Sequence, residues 1–279
     1  MRIIGIDIAI ENLAFCTVDY DEALDTYSMK KENWFVLDTT PEDFKQECIY
    51  ENRKKCSKDA GWFYTDKETS TYQFYCATHK KKLDPEKTHS WKTLNKNYLN
   101  NNEVIRNIFK TLDQHIELFR SADYLVIEKQ PPKNPKMISI MNYLYGYFVI
   151  RLWNDAAAPL LKDIVFVDAK NKVTYCNTNV LSKEEVDELK AKYDPVKNKY
   201  QYYKKTSIRA VQKELTSRGD LVELEHFNSY KKMDDLADTR NMVLWWIDQV
   251  IRKKANKEKK RVEKLEKAEK KKKPKIITI

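Results

Sequence analysis

Apolar residues gather in five short runs that are typical of β-strands. The first run, Ile3 to Ile8, is nearly continuous and rich in β-branched residues, which favours a central strand covered on both faces. Short polar turns separate it from apolar runs at 12–20 and 33–38, so we predict a meander of three antiparallel strands. Two further strands are predicted at 123–128 and 164–167.

Between and after these strands, apolar residues recur at helical spacing. Residues 101–120 carry a single apolar stripe, made of Val104, Ile105, Ile108, Leu112, Ile116 and Phe119. Residues 137–153 are strongly apolar and predict a buried helix. Charged helices are expected at 182–193 and 200–217, and a last helix from Met233 to about Arg252. Strands that alternate with helices in this way indicate an α/β fold.

Asp7 interrupts the apolar first strand. A buried carboxylate is costly unless a cation or a hydrogen-bond donor compensates it. Two interpretations are open from this residue alone. Asp7 either caps a turn or meets a lysine, or it is a metal ligand, and the second interpretation requires further ligands elsewhere in the chain.

Three more carboxylates are candidates for that ligand set. Glu128 ends the fourth predicted strand, and Asp235 and Asp238 are three residues apart on one face of the last helix. Acids in a first helical turn also suit the helix dipole without any metal. Taken with Asp7, the set supplies the hard oxygen ligands that hold two Mg²⁺ or Mn²⁺ ions ~4 Å apart for phosphodiester hydrolysis. Asp234 points about 100° away from Asp235 and is less suited to this role.

Composition narrows the classes of protein that remain. The 4 glycines stand singly, so the chain has no glycine-rich phosphate loop, which argues against the actin-like and sugar-kinase ATPases. An odd count of 5 cysteines argues against a secreted disulfide scaffold. No apolar run reaches the ~18 residues of a membrane span, and none resembles a signal peptide. We therefore expect a soluble, intracellular protein.

Positive charge is concentrated at the end of the chain. From Arg252 onward there are 14 Lys and Arg residues against 4 Glu, which accounts for the whole net charge of +10. We treat 253–279 as a basic tail, which either binds a polyanion or is merely solvated.

Two smaller basic groups lie near the candidate carboxylates in sequence. Lys129 and Lys133 follow Glu128, and Lys204, Lys205 and Arg209 lie on the helix before Asp235. Cations in such places contact backbone phosphates of nucleic acids without reading sequence. The alternative is an ordinary solvated charged face.

A polar, aromatic segment at 41–95 differs from the rest of the chain and is predicted to be an insertion. It contains the pattern Cys48-x7-Cys56-x19-Cys76-x2-His79, with His89 as a reserve ligand. So few aliphatic residues cannot form a stable core, and a structural Zn²⁺ would supply the missing stability. The alternative is three unrelated free cysteines and a surface histidine.

The order of strands, helices and carboxylates resembles the ribonuclease H-like fold. Within that superfamily the chain is similar to the RuvC-type Holliday junction resolvases, above all those of poxviruses and other large DNA viruses. The matching segments are Ile4–Asp7, Val126–Gln130, Lys232–Asp238 and the basic helix Tyr203–Arg209. The resemblance implies a mixed sheet flanked by helices, formed by 1–40 and 96–252. The segment 41–95 would interrupt this domain as a small zinc-ribbon-like insertion.

The same resemblance implies an activity. The protein would be a homodimeric, metal-dependent endonuclease that nicks two opposed strands of a four-way DNA junction. Asp7 would bridge two metal ions, and Glu128, Asp235 and Asp238 would complete the two metal sites. The apolar helix at 137–153 would form the dimer contact. A non-cleaving module that binds branched nucleic acid, and a nuclease of this fold with another substrate, are the alternatives.

Three features depart from the small resolvases of this type. They are the insertion, the basic tail, and an acid at Asp168 after the fifth strand. Asp168 is either an auxiliary ligand or a cap or turn residue.

Overall fold

A computed structural model describes residues 1–10, 12–40, 46–84, 86, 89–94, 101–153, 161–254, 257 and 260–261. Most of the predicted basic tail and both junctions of the predicted insertion, at 41–45 and 95–100, lie outside the described residues. Among the described helices, none combines the length and the apolar character that a membrane crossing requires.

The elements follow one another in the predicted order, with additions. The strands are β1 (Arg2–Ile8), β2 (Asn12–Asp21), β3 (Thr26–Asp38), β4 (Glu51–Asn52), β5 (Lys54–Lys55), β6 (Trp62–Thr65), β7 (Tyr72–Tyr75), β8 (Lys92–Thr93), β9 (Tyr124–Lys129) and β10 (Asp163–Asp168). The helices are α1 (Ala77–Leu83), α2 (Asn101–Gln114), α3 (Ile116–Arg120), α4 (Pro135–Phe148), α5 (Ala169–Tyr175), α6 (Lys183–Lys192), α7 (Lys199–Arg218), α8 (Leu221–Ser229) and α9 (Met233–Trp246). Helices α4, α5 and α9 each continue into a π-helical turn.

The predicted fold class is confirmed by a five-stranded mixed sheet with the order β10-β9-β1-β2-β3. Strand β1 pairs with β2 in antiparallel fashion and with β9 in parallel fashion, and β10 extends the parallel half. Three meandering strands followed by two parallel strands are the arrangement that the resemblance to the ribonuclease H-like fold predicted. β3 is longer than predicted, and β4 to β8 belong to two small separate sheets in the insert, by which we mean the described part of 41–95.

Each face of the sheet has its own apolar core, and the two cores follow from side-chain alternation along the strands. Ile4 and Ile6 of β1 pack with α2 and α4 on one face. Ile3 packs with α7, α8 and α9 on the other face. Asp7 has the same parity as Ile3 and Gly5, so it points towards the α9 face.

Gly5 lets α9 approach β1 closely. A Cβ atom at this position would lie 2.6 Å from the Thr239 carbonyl oxygen and 2.6 Å from Cγ2 of Val243. Any larger residue would therefore push α9 away from the sheet. This contact fixes the distance between the strand that carries Asp7 and the helix that carries Asp238.

Candidate active site and metal centre

Strand alternation brings Asp7 and Glu128 to the same place on the sheet. Ile6 lies opposite Ile127 in the parallel register of β1 and β9, so the next residues, Asp7 and Glu128, are neighbours. Val126 packs in the α9-side core, and Glu128 shares its parity. Both predicted strand carboxylates therefore face α9 at the carboxyl ends of their strands.

Helix α9 supplies the other predicted carboxylates from its first two turns. Asp238 lies directly over the strand pair, with 19% of its side chain exposed. Asp235 lies one turn earlier and is partly buried. Asp234 points elsewhere and forms an ion pair with Lys204, as its different direction on the helix predicts.

A buried lysine completes the cluster. Lys172 lies on α5, and its Nζ atom is 3.1 Å from Oε1 of Glu128 and 2.5 Å from Oδ2 of Asp238. Its side chain is only 6% exposed. An ammonium therefore lies between two of the predicted ligands, Glu128 and Asp238.

Sequence reasoning missed Lys172 because it missed helix α5. A seven-residue helix directly after a strand is too short to show a clear period. One signal was present nonetheless. Lys172 shares a helical face with the buried residues Tyr175 and Cys176, and a lysine on an apolar face requires a buried counter-charge.

The charges in this cluster are strongly coupled. Burial raises the pKa of Asp7 well above its usual range, and the charge of Glu128 raises it further. Burial also raises the pKa of Asp238, where the charge of Glu128 opposes that of Lys172. For Glu128 burial works against ionisation, but the Lys172 ammonium outweighs it and lowers the pKa. For Lys172, burial is outweighed by Asp238, Glu128 and Asp7, which raise its pKa.

Asp235 interacts electrostatically with Asp238 of this cluster and with nearby charged residues. Burial, together with the charge of Asp234, raises the pKa of Asp235 to about 6. The charge of Asp238 adds to this shift, and Lys232 and Lys204 oppose it. The first turn of α9 thus carries a partly buried carboxyl that a cation would stabilise in its ionised form.

The donor set fits a divalent cation. Asp7, Glu128, Asp235 and Asp238 offer the hard oxygen ligands that Mg²⁺ and Mn²⁺ prefer. Oδ1 of Asp238 is buried and has no hydrogen bond of ordinary geometry, although the nearby Ser207 hydroxyl lowers the pKa of this carboxyl. A buried acceptor without a full partner is the kind of atom that a metal ion satisfies.

The other predicted site residues differ in their exposure and in their ion-pair partners. Asp168 is half-exposed, makes no capping hydrogen bond, and lies 3.9 Å from Nζ of Lys129. Lys133 and Lys205 are exposed. Arg209 lies 3.4 Å from Glu185, so this predicted phosphate contact has a carboxylate partner, as Lys204 has in Asp234.

The structure also brings the four predicted soft ligands together in the insert. The Sγ atoms of Cys48, Cys56 and Cys76 and a ring nitrogen of His79 all lie within 4.8 Å of one another. In the described part of the chain, no set of three carboxylates has oxygen atoms that all lie within 4.8 Å of one another. His89, the reserve ligand, lies instead 3.2 Å from Asp84, with its ring against Tyr64.

Backbone pairing explains the unusual x7 spacing. Strands β4 and β5 form a tight hairpin around Arg53, whose φ of 62° is left-handed, and this hairpin returns Cys56 to Cys48. The Cys56 amide donates to the Tyr50 carbonyl, and the Ile49 amide donates to the Phe74 carbonyl. The second bond places Cys48 beside β7, which is followed by Cys76.

The insert also contains an antiparallel hairpin of β6 and β7. Trp62 pairs with Tyr75, and Thr65 pairs with Tyr72. After β7, Cys76 begins helix α1, and the first turn of this helix carries His79 back to the two thiols.

Comparison with known proteins finds a relative at the level of sequence. The chain is 27% identical over 208 residues to the uncharacterized protein L451 of Acanthamoeba polyphaga mimivirus. The match covers 71% of this chain and 48% of that protein, so this chain spans about half the length of its curated relative. No family model matches the sequence.

Solved structures similar to this chain are Holliday junction resolvases. The Fowlpox virus resolvase, in complex with Holliday junction DNA, has a TM-score of 0.42 at 15% identity, covering 90% of this chain and 99% of that chain. The yeast mitochondrial resolvase Ydc2 has a TM-score of 0.44 at 14% identity, covering 88% and 78%. RuvC of Thermus thermophilus has a TM-score of 0.40 at 10% identity, covering 89% and 96%.

Proposed function

We propose that this protein is a metal-dependent endonuclease that nicks branched DNA, with four-way junctions as its main substrate. The observation that carries the chemistry is the convergence of Asp7, Glu128 and Asp238, from three separate elements, on the α9 face of the sheet. Burying several charged groups costs folding free energy that ion pairing repays only in part, so a cluster of this kind indicates a functional role for the acids. The choice of a four-way junction depends on the motif resemblance.

The four carboxylates would hold the metal ions. Asp7 and Glu128 would take them at the strand ends, and Asp235 and Asp238 would take them from α9. Two divalent ions in such a site activate a water and stabilise the leaving oxygen of the phosphodiester. The rigid contact at Gly5 keeps the strand ligands and the helix ligands at a fixed separation.

Lys172 has two roles in this proposal. Without metal, its ammonium neutralises the carboxylates, which holds the site together. With metal and substrate bound, the same ammonium, which lies beside Glu128 and Asp238, would be available to a phosphate oxygen of the substrate. A fixed positive charge at that place stabilises the charge that develops in the transition state.

Basic residues outside the cluster would bind the DNA backbone. Lys133 and Lys205 are exposed and would contact phosphates directly, and the exposed Lys129 would first separate from Asp168, which is 3.9 Å away. Lys204 and Arg209 would have to leave Asp234 and Glu185 to do so, and they therefore contribute less. Four-way junctions arise in replicating or recombining DNA, so such a nuclease would act inside the cell.

We also propose a homodimer. Helix α4 and its π-helical turn leave three large apolar residues exposed, Tyr143 at 51%, Ile150 at 67% and Trp153 at 42%. A groove of Phe109, Tyr143 and Tyr147 lies beside Ile150. Paired active sites on two copies would nick two opposed strands of one junction.

The test compares a labelled four-way junction with a linear duplex that has the same arms. We expect Mg²⁺- or Mn²⁺-dependent nicks in the junction alone, at symmetric positions, and none with EDTA. Asp7→Asn should bind the junction and leave it uncut. Binding without cutting in either metal would instead indicate a non-cleaving module, and equal cutting of duplex or of an RNA–DNA hybrid would indicate a different substrate.

A further inference from the structure

The insert carries a second group of ligands that the nuclease chemistry does not use. Nδ1 of His79 lies 3.3 Å from Sγ of Cys48 and 3.4 Å from Sγ of Cys76. A tetrahedral zinc ion with ordinary bond lengths of about 2.3 Å to sulfur and 2.0 Å to nitrogen places these atoms about 3.5 Å apart. The observed separations therefore match those of ligands that share one ion.

We propose that Cys48, Cys56, Cys76 and His79 bind one Zn²⁺ ion, and that His79 does so through Nδ1. Three thiolates and an imidazole favour zinc over the hard cations of the active site. Four protein ligands fill a tetrahedral shell and leave no position for water. The ion therefore has a structural role in the insert and no part in hydrolysis.

The assignment of Nδ1 follows from the orientation of the ring. Nδ1 is the ring nitrogen that faces both sulfur atoms. Tyr50 stacks on the imidazole with ring centroids 4.0 Å apart and an interplanar angle of 18°, which fixes the plane of the ring. Nε2 consequently points away from the thiols. In the metal-bound protein Nε2 carries the proton.

The insert depends on this ion because its own apolar core is very small. Its buried cluster contains Cys48, Tyr75 and Cys76, and two of these three are ligands. Partly buried Tyr50, Tyr64 and Trp91 pack around them. This cluster is separate from the two large cores of the main sheet. Loss of the ion should therefore unfold the insert and leave the main sheet folded.

The first experiment measures the metal content of the full-length protein, purified without chelators. We expect one zinc per chain, which Cys48→Ser and His79→Ala abolish. Matched controls are Cys16→Ala, which removes a buried thiol of β2, and His89→Gln, which removes the neighbouring imidazole. Both controls should keep the zinc. Asp238→Asn should also keep it, since the ion is not bound in the active site.

A second measurement does not depend on any variant being well folded. Co²⁺ that replaces zinc in the native chain should give intense thiolate charge-transfer bands and the visible spectrum of a tetrahedral ion. Nitrogen-15 NMR of the histidine rings should show metal ligation at Nδ1 of one histidine and a protonated Nε2. Ligation through Nε2 would contradict the assignment, and absence of both zinc and Co²⁺ uptake would overturn the site itself.

Hydrogen exchange tests the structural role. After removal of zinc by a chelator, we expect the amides of Cys48 and Ile49, which pair with Lys58 and Phe74, to lose protection. The amides of Ile4 and Leu125 in the main sheet should keep theirs. Unchanged protection in the insert after complete loss of zinc would show that the ion is not needed for its fold.

Discussion

At the scale of single residues, the centre of this site is a balance between one cation and several acids. Asp7, Glu128 and Asp238 are buried enough to need compensation, and Lys172 supplies it without exposure to water. The sequence predicted Asp7 and Glu128 as site residues because a carboxylate in an apolar strand is conspicuous, and it predicted Asp238 from its spacing to Asp235 on a helix. The lysine was not found, since its partners are 44 and 66 residues away along the chain.

Replacement of Lys172 by methionine tests this balance. Breaking a buried ion pair leaves uncompensated charge and costs up to about 3–5 kcal/mol, so Lys172→Met should lower the melting temperature of the metal-free protein. Added Mg²⁺ should restore part of the loss, because it binds the freed carboxylates in the folded state. Differential scanning calorimetry with and without Mg²⁺ measures both effects.

Lys170→Met is the control for this prediction. Lys170 is exposed on the same helix α5, so its loss should change neither the metal-free stability nor the response to Mg²⁺. Equal melting temperatures for Lys172→Met and Lys170→Met would contradict the role that we assign to the buried ammonium.

At the scale of elements, β1 and α9 form the frame of the site. The sequence predicted both elements, their carboxylates and their order, because strand and helix periods are local properties. It did not predict their close approach at Gly5 or the short helices α5 and α8. Those features arise from packing between distant segments, which a local pattern does not contain. The break of the predicted 101–120 helix at His115 is of the same kind.

Gly5→Ala should disturb this frame. The added Cβ would meet the backbone oxygen of Thr239 and the side chain of Val243, and such overpacking costs about 1–3 kcal/mol. The Thr239 carbonyl belongs to the backbone of α9 and cannot move independently of the helix, so α9 should shift as a whole. We therefore expect activity and stability to fall together. Urea denaturation and a junction-cleavage assay check this. Gly146→Ala on α4, where an added Cβ meets nothing within 4 Å, is the control and should be neutral or slightly stabilising.

A buried ion pair joins α7 to α9 on the side of β3. Nη1 of the fully buried Arg240 lies 3.0 Å from Oε2 of Glu214, and the Tyr27 hydroxyl bonds to the same carboxylate. Burial opposes ionisation of Glu214, but Arg240 outweighs it and lowers the pKa of Glu214 below its usual value. The pair therefore stabilises the fold when Glu214 is ionised.

Glu214→Gln should reduce stability by about 3 kcal/mol at neutral pH, because Arg240 stays buried without its counter-charge. Since the folded pKa of Glu214 is lowered, its contribution is fully present above the unfolded value of about 4.3 and is lost as pH falls through the folded pKa. The difference in the free energy of unfolding between the wild type and Glu214→Gln should thus become smaller below about pH 4. A difference that stays constant from pH 7 to pH 3 would contradict the role that we assign to this ion pair. Glu225→Gln, an exposed change on α8, is the control.

At the scale of the whole molecule, the insert and the rest of the described chain, which we call the body, are stabilised by different kinds of contact. The body has two apolar cores, one on each face of a five-stranded sheet. The insert has aromatic contacts and a cluster of soft ligands. Sequence reasoning separated the two because their compositions differ. The sequence did not decide whether the apolar helix at 137–153 forms a dimer contact, since its pattern predicts core packing and an interface equally well.

The proposed dimer predicts that a charge at Ile150 separates the two copies. Ile150 is exposed beside the apolar groove on α4, so Ile150→Glu should give a folded monomer. Light scattering after size-exclusion chromatography measures the mass. Val196→Glu, at an exposed apolar residue between α6 and α7, should leave the dimer intact. A wild-type chain that is monomeric at micromolar concentration would contradict the proposal.

The most direct test of the central claim is the single-turnover rate of junction cleavage as a function of Mg²⁺ concentration. Asp7→Asn, Glu128→Gln, Asp235→Asn and Asp238→Asn should each lose about 10²-fold or more in rate, because each removes a metal ligand worth several kcal/mol of transition-state stabilisation. Asp168→Asn should cut like the wild type, since that carboxylate is half-exposed and lies beside Lys129, outside the cluster. Equal losses in Asp168→Asn, or full activity in any of the four, would contradict this assignment of the active site.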